Sequence, residues 1–595
     1  MDKKDKVKFS QMLKNNVYIM KMALKYAPKY TISRFLIDIY DVITNVLWIL
    51  FVNHLLNALD ARKDFNYLLI CIVGMASWHL GHAIISGWYW KLYNPYHKLD
   101  FQKKLHRLLF EKTANLDMQS YDTPEFYNDY IYSMKSSDKS IINIVESSSQ
   151  FIKTLLNSIA SFSIIFYVSP IVSIVVLILS MMNLFISLYQ NHISYKFELK
   201  NNKIYRSCWY AHRFFSLPDY AKEIRLSKVS KVMIDKYDKN MDEMLKNELK
   251  LYRVYMISGA IRTILEKLAV FLAVTYMTYL LFNGSILVGG FTASVYSLMR
   301  LYYSMTNLNY TFSKMSKNSL FADKIRKFLS QKATIVSGDK IPGEFESLEF
   351  KNVSFAYKDD NVLENINLKI TKGERIAIVG YNGAGKTTLT KLIMRFYDPN
   401  DGEILYNGVN LKEYDLEKLR DKIGAVFQDY RIFAATVAEN VLGDLYTEDK
   451  EQVVIDALKD STFGAKLDSF EKGIHTELTK EFYDDGKELS GGESQKIAIA
   501  RVFAHNNELI IMDEPSSALD PIAEYELNLG IDKNAKEKTV IFIAHRLSTT
   551  RHTDRIYMFD RGKIIESGSH DELMDKNGKY AEMFTLQASK YQSNE

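Results

Sequence analysis

The segment GYNGAGKTT, residues 380–388, separates a short apolar run at residues 375–379 from a helical pattern that begins at Leu389. This order of strand, glycine-rich loop and helix is typical of a P-loop. Its glycines let backbone N–H groups turn toward phosphate oxygens, and the helix N-terminus adds a favourable dipole. Lys386 is placed to reach the β- and γ-phosphates, and the Thr387 hydroxyl to bind Mg²⁺. The stretch therefore predicts a site for a nucleoside triphosphate with Mg²⁺.

A second apolar run, residues 509–512, ends in Asp513 and Glu514. Phosphoryl transfer depends mainly on positioning and charge neutralisation, so one acid beside the metal and one beside the attacking water form a suitable pair. Asp513 fits the Mg²⁺ shell, and Glu514 is placed to polarise the water. The alternative is an acid pair that caps the helix beginning at Pro515. The P-loop upstream favours the catalytic interpretation.

The sequence around these motifs alternates strand-like runs, such as residues 350–355, with helical stretches. This alternation indicates an α/β domain built on a parallel sheet. We expect the domain to span residues 347–589 and to be followed by a C-terminal tail at residues 590–595. A linker at residues 330–346 precedes it and contains the turn-forming pairs Ser337-Gly338 and Pro342-Gly343.

The N-terminal part of the chain carries six long apolar segments that have no counterpart after residue 320. They lie near residues 31–56, 67–90, 141–168, 171–194, 254–282 and 291–312. A membrane helix needs about 20 mostly apolar residues, and each segment reaches that length. The run 171–188 has no charge and no polar face, which argues against the alternative of a soluble helical bundle. We expect a transmembrane domain at residues 1–329, with six helices and two cytosolic coupling loops.

The overall composition conceals this division. The 595 residues are 47% hydrophobic and 25% charged, with a mean hydropathy of -0.15, values that resemble those of a soluble protein. They result from averaging an apolar membrane domain with a polar α/β domain. Two cysteines, Cys71 and Cys208, allow no disulfide framework and no zinc-type spacing. The net charge of +5 indicates no nucleic-acid partner.

Positive charge concentrates in two connections, one between the second and third apolar segments and one between the fourth and fifth. The first of them carries Lys98, Lys103, Lys104, Arg107 and Lys112. Since basic loops stay in the cytosol, both termini and the α/β domain are predicted to be cytoplasmic. Residues 1–16 contain no apolar region of a signal peptide. The abundance of Lys, Asn, Ile and Tyr favours a bacterial gene, so we expect a multi-pass protein of a bacterial plasma membrane.

Residues 489–495, LSGGESQ, lie between the P-loop and the acidic strand end and begin a helical stretch. They resemble the signature sequence of ATP-binding cassette (ABC) exporters. The resemblance extends over essentially the whole chain, as six spans followed by one cassette. It implies a membrane α-helical domain fused to an α/β P-loop cassette, which together form half of an ATP-hydrolysing exporter.

The resemblance also assigns roles to single residues. Tyr357 would stack on adenine, Gln428 would touch Mg²⁺ or water and sense the membrane domain, and His545 would act as the switch histidine. The implied catalytic residues are Glu514, His545 and Gln428, and the implied Mg²⁺ ligands are Thr387, Gln428 and Asp513. The implied ATP-binding residues are Tyr357, Gly380, Asn382, Gly383, Ala384, Gly385, Lys386, Thr387, Thr388, Ser490, Gly491, Gly492, Glu493 and Asp520.

In such exporters each ATP lies between the P-loop of one cassette and the signature of another, so this chain needs a second subunit. No catalytic position is degenerate, which favours a homodimer, and a heterodimer with an unlike chain is the alternative. Force would reach the membrane domain through two coupling helices in the cytosolic loops, and ordinary loop helices are the alternative. Their residues would be Tyr121, Asp122, Pro124 and Phe126 in the first, and Asp219 and Glu223 in the second.

The cargo is less clearly indicated. Tyr296, Arg300, Tyr303, Asn307 and Tyr310 are spaced by 4, 3, 4 and 3 residues and form one helical stripe that we expect to line a translocation cavity. The alternative is that Arg300 pairs with Asp38 or Asp41. Elsewhere in the spans, Arg262 could pair with Glu266. His79 and His82 are expected to be packing or interface residues, and a metal or proton site is the alternative.

The loop before the signature, residues 479–488, differs from that of multidrug exporters. It looks more like the loop of bacterial exporters of ribosomally made peptides such as lantibiotics. This favours a peptide or amphiphilic cargo exported by alternating access. A multidrug or lipid exporter or flippase is the first alternative. An ATP-gated channel or regulatory membrane ATPase is the second, and the presence of Glu514 and His545 argues against it.

Overall fold

The computed structural model describes residues 9–357, 361–515, 521–534, 538–544, 550–551 and 553–592. The chain divides into two compact units. The first comprises Met1–Asn115 and Pro124–Gln331, and the second comprises Leu116–Thr123 and Lys332–Glu595. A short segment from the first half of the sequence thus belongs to the second unit.

The first half of the chain is almost entirely helical. Its helices are α1 (Phe9–Tyr26), α2 (Pro28–Asp60), α3 (Phe65–Trp88), α4 (Asn94–Ala114), α5 (Met118–Tyr121), α6 (Pro124–Val168), α7 (Pro170–Ser216), α8 (Ala221–Leu226), α9 (Val229–Phe282) and α10 (Val288–Ser330). The π-helical turn Tyr89–Tyr93 joins α3 to α4. The longest, α9, has 54 residues. At 1.5 Å per residue it extends about 80 Å, far beyond the roughly 30 Å of a hydrocarbon core.

Five helical stretches are long and apolar enough to cross a membrane. They are Pro28–Asp60, Phe65–Ala114, Lys139–Val168, Pro170–Ser187 and Val229–Phe282. The sixth predicted segment, residues 291–312, lies within the 43-residue α10. Helix α10 is not among the five, because Arg300 and several serine, threonine and asparagine residues interrupt its apolar sequence.

The outer faces of these helices are apolar. In α3, Phe65, Ile70, Leu80 and Ile84 are each more than 60% exposed, and only 11% of the most apolar window of that span is buried. An apolar surface of this extent is unfavourable in water. The first unit therefore has the surface of a membrane domain.

The second unit contains two β-sheets. Its strands are β1 (Ser347–Ala356), β2 (Asn361–Thr371), β3 (Arg375–Gly380), β4 (Asp401–Tyr406), β5 (Val409–Asn410), β6 (Ile423–Val426), β7 (Leu509–Asp513), β8 (Thr539–Ile543), β9 (Arg555–Asp560) and β10 (Lys563–Gly568). The order β2-β1-β4-β5 forms an antiparallel sheet, and β10-β9-β3-β8-β7-β6 forms the main sheet. Within the main sheet the pairs from β9 to β6 are parallel, and only β10 is antiparallel.

Helices connect and cover these sheets. They are α11 (Lys386–Ile393), α12 (Leu416–Asp421), α13 (Val437–Leu442), α14 (Glu451–Asp460), α15 (Gly464–Leu467), α16 (Gly491–Phe503), α17 (Pro521–Asn534), α18 (His570–Asp575) and α19 (Lys579–Gln592). The core between the sheets includes Ile376, Ile378, Leu389 and Leu509, all with at most 1% exposure. Strands β3 and β7 both flank β8 in parallel, so their carboxyl ends lie at the same edge of the sheet, where nucleotide sites of α/β proteins form.

Candidate functional site

The glycine-rich loop joins the central strand β3 to the N-terminus of α11. Gly385 caps this helix with φ +101°, and a Cβ atom there would lie 2.6 Å from Leu363 Cδ2. Gly383 has φ +81° and nothing within 4 Å of a Cβ position. Gly385 allows the loop to pack closely against β2, and Gly383 leaves open space at the helix N-terminus, where a phosphate is favoured.

Lys386 is buried at the start of α11, with 5% exposure. Its Nζ donates to the carbonyl oxygens of Gly380, at 2.7 Å, and Tyr381, at 3.1 Å. Burial lowers the pKa of Lys386, while the nearby Asp513 and Glu514 act in the opposite direction. The Lys386 amine is thus held against the backbone of the P-loop, next to two carboxylates.

Asp513 ends β7 and is 7% exposed. Burial and the neighbouring Glu514 raise the pKa of Asp513 to about 6, although Lys386 opposes the shift. A buried carboxylate that is poorly compensated by protein charges is a suitable ligand for a hard divalent cation.

Glu514 follows β7 with φ +51°, in the left-handed region that residues with a Cβ seldom adopt. Its backbone is held from two directions, because its N–H donates to the Ile543 carbonyl at 3.2 Å and its carbonyl accepts from Gln495 Nε2 at 3.1 Å. Such conformations persist where the surrounding structure enforces them, as in catalytic sites. The fold therefore determines the position from which the Glu514 side chain extends.

These elements enclose a cavity of about 600 Å³. Of the described residues, its walls are Val362, residues 382–388, Gln428 and Glu514. The structure thus brings together the P-loop, Gln428 just after β6 and Glu514 just after β7. Two predicted residues, Asp520 and His545, lie outside the described parts of the chain.

Tyr357 lies beside the P-loop helix at the end of β1. Its Oη is 3.3 Å from Thr388 Oγ1 and accepts from Lys391 Nζ at 3.4 Å. Its ring meets those of Phe355 and Tyr397 edge-on, at 5.0 and 5.2 Å between centroids. The ring remains 38% exposed, so a fixed aromatic face is available close to the phosphate-binding loop.

The signature segment forms the N-terminus of α16. Ser490 and Glu493 make a capping box, in which the Ser490 N–H donates to Glu493 Oε2 at 2.8 Å and the Glu493 N–H donates to Ser490 Oγ at 3.3 Å. Gly491 and Gly492 follow the cap as the first helical residues. Tyr430 Oη donates to the Gly491 carbonyl at 2.7 Å. The segment is therefore rigid, and Gln495, four residues after Gly491, links it to Glu514.

Glu493 is further held by Lys466, whose Nζ lies 2.9 Å from Glu493 Oε1. Burial alone would raise the pKa of Glu493, but the hydrogen bonds from Lys466 and Ser490 outweigh it and hold the pKa below its ordinary value. Glu493 thus stays ionised and acts as the cap of the helix. The sequence pattern indicates the cap, whereas nothing in it indicates Lys466.

The residues present fit a nucleoside triphosphate and a divalent cation. The open space at Gly383 and the backbone of residues 382–388 suit phosphate oxygens. The Thr387 hydroxyl, the Gln428 amide and the Asp513 carboxylate are oxygen donors of the kind that Mg²⁺ prefers. Tyr357 offers a ring for a base to stack on.

The first predicted coupling helix is divided between the two units. Segment Leu116–Thr123, which includes α5 with Tyr121, belongs to the second unit. Asp122 Oδ2 accepts from Tyr397 Oη at 2.5 Å. Asp117 Oδ2 accepts from Thr334 Oγ1 at 2.9 Å and from the Ile335 N–H at 3.0 Å. The segment is thus bonded to the linker that precedes the cassette and to Tyr397, which follows the P-loop helix α11.

The remaining coupling residues lie in the first unit. Pro124 begins α6, and the Phe126 ring lies 6.2 Å from that of Phe328 at the end of α10. Asp219 lies in the 3₁₀ turn Pro218–Tyr220 and Glu223 in α8, and both are exposed. Sequence reasoning missed Asp117 and Tyr397, because neither belongs to a motif that the sequence shows.

The predicted cargo stripe lies on α10. Tyr296 is 46% and Tyr303 71% exposed, whereas Arg300 donates from Nη2 to Asn157 Oδ1 at 3.5 Å. Asn307 is half-buried, and its carbonyl accepts from Thr311 Oγ1 at 2.7 Å. The stripe therefore presents exposed tyrosines, with one arginine turned toward α6.

Among the described residues, neither Asp38 nor Asp41 forms an ion pair with Arg300. Asp38 and Asp41 instead bind Lys153 of α6, whose Nζ lies 3.1 Å from Asp38 Oδ1 and 2.5 Å from Asp41 Oδ2. His82 joins the same group through Nε2, 2.8 Å from Asp41 Oδ1. The expected pair of Arg262 and Glu266 is also absent from the described ion pairs within 4.0 Å. The acids of α2 are satisfied by α6 and α3, because these helices pack on α2 at that level.

Known proteins match both parts of this description. The ABC transporter family profile matches residues 363–517. The subtilin transport ATP-binding protein SpaT of Bacillus subtilis is 28% identical over 601 aligned residues, which cover 98% of this chain and 96% of SpaT. The ATP-dependent lipid A-core flippase of Haemophilus influenzae (strain 86-028NP) is 33% identical over 60% of each chain.

A solved structure agrees with the fold. The structure of a bacterial Atm1-family ABC exporter with ATP bound superposes with a TM-score of 0.74 and covers 95% of this chain and 99% of its own, at 21% identity. Residues 363–517 are thus an ABC transporter ATP-binding domain, and the whole chain has the architecture of an ABC exporter, with a helical membrane domain before a single cassette. The matched domain implies that the chain binds and hydrolyses ATP, and the chain is similar to bacterial membrane transport proteins along its length.

Proposed function

We propose that this chain is one half of an ATP-driven exporter that moves a peptide out of the cytosol. The observation that carries the cargo class is the match to SpaT along nearly the entire length of both chains. The match to the lipid A-core flippase covers only 60% of each chain. Since cargo contacts lie in the membrane domain, a relative that aligns along that domain is the better guide to cargo.

We infer that two copies form the working transporter. The P-loop cavity is walled by residues 382–388, Gln428 and Glu514, and Ser490–Glu493 of the same chain are not among its described walls. Each signature would therefore complete the site of the partner subunit, with the α16 N-terminus directed at the γ-phosphate. A homodimer with two equal sites is favoured by the intact P-loop, Asp513 and Glu514, and a heterodimer is the alternative.

In the proposed site, Thr387, Gln428 and Asp513 would hold Mg²⁺, which supplies positive charge against the phosphates. Lys386 would neutralise phosphate oxygens, and Tyr357 would stack on adenine. Glu514 would orient the attacking water and accept its proton. His545 and Asp520, by their order in the sequence, would act at the γ-phosphate and at the subunit interface.

The orientation and the coupling follow from the same proposal. The basic loops favour cytoplasmic termini and a cytoplasmic cassette in a bacterial plasma membrane. Asp122 and its hydrogen bond to Tyr397 support a role of the first loop in transmitting nucleotide-dependent movement. The stripe Tyr296, Arg300, Tyr303 and Asn307 would contact cargo in alternating access.

One further candidate function has an observation in its favour. The 33% identity with the lipid A-core flippase over 60% of each chain supports a lipid or multidrug cargo as the alternative. Gating by ATP binding alone would need no hydrolytic acid, so the presence of Glu514 favours a protein that turns over ATP rather than an ATP-gated channel.

The test is transport by the purified protein in liposomes. When the protein is inserted inside-out, with its cassettes outside the liposome, added ATP can drive cargo into the lumen. A labelled lantibiotic-type peptide and a fluorescent phospholipid are offered in parallel, and the Glu514→Gln variant measures passive entry. ATP-dependent accumulation of the peptide supports the proposal, and movement of the lipid alone refutes the peptide cargo.

A further inference from the structure

The membrane domain contains a polar cavity that the predicted cargo stripe did not identify. It measures about 530 Å³ and lies among α7, α9 and α10. Each of its described lining side chains carries a polar atom, and of the stripe only Tyr310 takes part. A volume of this size is within the range of ligand-binding pockets, roughly 300–1,000 Å³.

The charges of the cavity are of one sign. Arg262 of α9 and Lys314 of α10 contribute to its wall, and none of the described lining residues is a carboxylate. Both side chains are half-buried. Among the described residues, neither forms an ion pair within 4.0 Å. Two cations without a counter-ion in a membrane protein indicate a place where an anionic group is received.

A buried hydroxyl supports the same conclusion. Ser187 of α7 lines the cavity, is 4% exposed, and its Oγ has no hydrogen-bond partner in the described structure. A buried polar atom without a partner is unfavourable unless a ligand or water satisfies it. Beside it, Gln190 Nε2 donates to Ser258 Oγ at 2.5 Å, which fixes α7 against α9.

The depth of the cavity follows from helix geometry. Counted from the short connections at the ends of α7 and α9, Gln190 and Arg262 are each 20 residues away, a distance of about 30 Å. Since the hydrocarbon core is also about 30 Å thick, these side chains lie at its opposite boundary. In the proposed orientation this boundary is the cytosolic one, where cargo enters.

We propose that this cavity binds a carboxylate group of the peptide cargo at the cytosolic boundary of the membrane. The inference rests on the proposed function and names the chemistry that the export site selects. Arg262 and Lys314 pair with the carboxylate, and Ser187 donates its hydroxyl to it or to the peptide backbone. A peptide is favoured over a lipid because every described lining side chain carries a hydrogen-bonding group, and a peptide backbone offers donors and acceptors to match them.

The test measures binding to the full-length protein in nanodiscs of phosphatidylcholine. The probe is a dansyl-labelled amphipathic peptide with two glutamates and a free C-terminal carboxylate. Its matched counterpart has glutamines and a C-terminal amide. Because charge-assisted hydrogen bonds are lost in the neutral peptide, we expect fluorescence anisotropy to show about tenfold tighter binding of the acidic peptide.

The variants Arg262→Gln and Lys314→Gln should remove this preference, and Arg262→Lys should keep part of it. Arg253→Gln is the matched control, since Arg253 lies on the same helix, is exposed and is not among the lining residues. It should retain the full preference. Equal binding of the two peptides to the wild type, no binding of the acidic peptide, or a preference that survives both glutamine variants would each overturn the proposal.

A lipid occupant is tested by adding phosphatidylglycerol to the nanodiscs. Repulsion by the membrane surface weakens acidic-peptide binding equally in the wild type and in Arg262→Gln. We expect no additional loss in the wild type. A much larger loss there would mean that the lipid phosphate fills the cavity, which contradicts the proposal.

Transport separates the two proposals. If both peptides accumulate in liposomes with ATP and bind equally, the exporter function stands and the carboxylate site is wrong. If neither peptide accumulates while the acidic one still binds through Arg262 and Lys314, the site stands and peptide export is wrong.

Discussion

At the scale of single residues, Glu514 is held more firmly than an ordinary strand-end acid. Its backbone lies at φ +51°, and hydrogen bonds to Ile543 and from Gln495 fix it on both sides. Gln495 belongs to the signature helix α16, so a displacement of that helix would be passed directly to the residue that we propose orients water. The signature and the hydrolytic acid are therefore linked within one cassette.

Replacing this acid tests its role. Glu514→Gln keeps the shape of the side chain but cannot accept a proton, so we expect ATP hydrolysis to fall by about 10²–10⁴-fold. ATP binding should remain, because Lys386 and the loop are unchanged. A steady-state ATPase assay and nucleotide binding measure the two effects. Glu417→Gln, at an exposed position of α12, should behave as wild type. Wild-type hydrolysis by Glu514→Gln would refute the assignment.

The P-loop allows an equally local test. Gly385→Ala places a Cβ 2.6 Å from Leu363 Cδ2 at φ +101°, and we expect a loss of about 1–3 kcal/mol of stability together with weaker ATP binding. Gly343→Ala is the control, since it has space for a Cβ and no positive φ. Thermal unfolding and ATP titration measure both variants. Equal melting temperatures and equal ATP affinities of the two variants would contradict the close packing of Gly385 against β2.

At the scale of elements, the segment that contains the short helix α5 contacts the cassette through a hydrogen bond from Tyr397 to Asp122. Burial and the Asp122 carboxylate raise the pKa of Tyr397 above its ordinary value. The hydroxyl therefore stays protonated and donates at every physiological pH. Tyr397 also touches the ring of Tyr357, which connects this bond with the predicted adenine-stacking residue.

Removing that hydrogen bond should reduce coupling more than catalysis. We expect Tyr397→Phe to lower the number of peptides transported per ATP hydrolysed, because the ring is kept while a bond of about 1 kcal/mol or more is lost. Tyr414→Phe removes a comparable bond, to the Tyr406 carbonyl at 3.0 Å, away from α5, and should leave the ratio unchanged. An unaltered ratio in Tyr397→Phe would exclude a coupling role for this contact.

The C-terminal helices give a pH-dependent prediction. Burial, and then Arg551, lower the pKa of His570 from its ordinary value of 6.5, and its Nδ1 lies 2.8 Å from Tyr580 Oη. The unfolded chain thus binds a proton more readily than the folded one. This stabilising contribution is complete above pH 6.5 and is lost as the pH falls through the lower pKa of the folded state. The melting temperature of His570→Gln should therefore decline less than that of the wild type between pH 7 and 5. Equal declines would refute the assignment.

At the scale of the whole molecule, the account requires two chains for one nucleotide site. If Lys386→Ala and Gly492→Asp chains are mixed, each chain alone lacks a functional composite site. A mixed dimer has one site with both defects and one site with none. About a quarter of all sites should then recover in a random mixture. ATP hydrolysis above that of either variant alone is expected, and an inactive mixture would show that the site is not shared.

The sequence predicts those parts of this account that are local. The P-loop, the acids Asp513 and Glu514 and the capped signature helix are each set by neighbouring residues, and they lie where their patterns indicate. Contacts between distant residues were not predictable. Asp122 and Tyr397 are separated by 275 positions, and Lys153, rather than Arg300, satisfies Asp38 and Asp41. Such pairs depend on the way in which long helices pack against one another, and no local sequence pattern predicts that packing.

The polar cavity also depends on contacts between distant residues and could not be predicted from local sequence. Arg262 and Lys314 lie on different helices, and only the packing of α9 and α10 brings them to one wall. The residue spacing in α10 predicts a stripe that includes Tyr310. It cannot show which residues of α7 and α9 lie opposite that stripe. The proposed cargo site is therefore formed by three helices together.

The central claim is that ATP hydrolysis by this chain drives a peptide across the membrane. The most direct measurement is the accumulation of a labelled lantibiotic-type peptide in liposomes that contain the purified protein with its cassettes outside. We predict accumulation with ATP and Mg²⁺, none without ATP, and none with Glu514→Gln. The claim would be contradicted if the wild type hydrolysed ATP normally but accumulated no more peptide than Glu514→Gln.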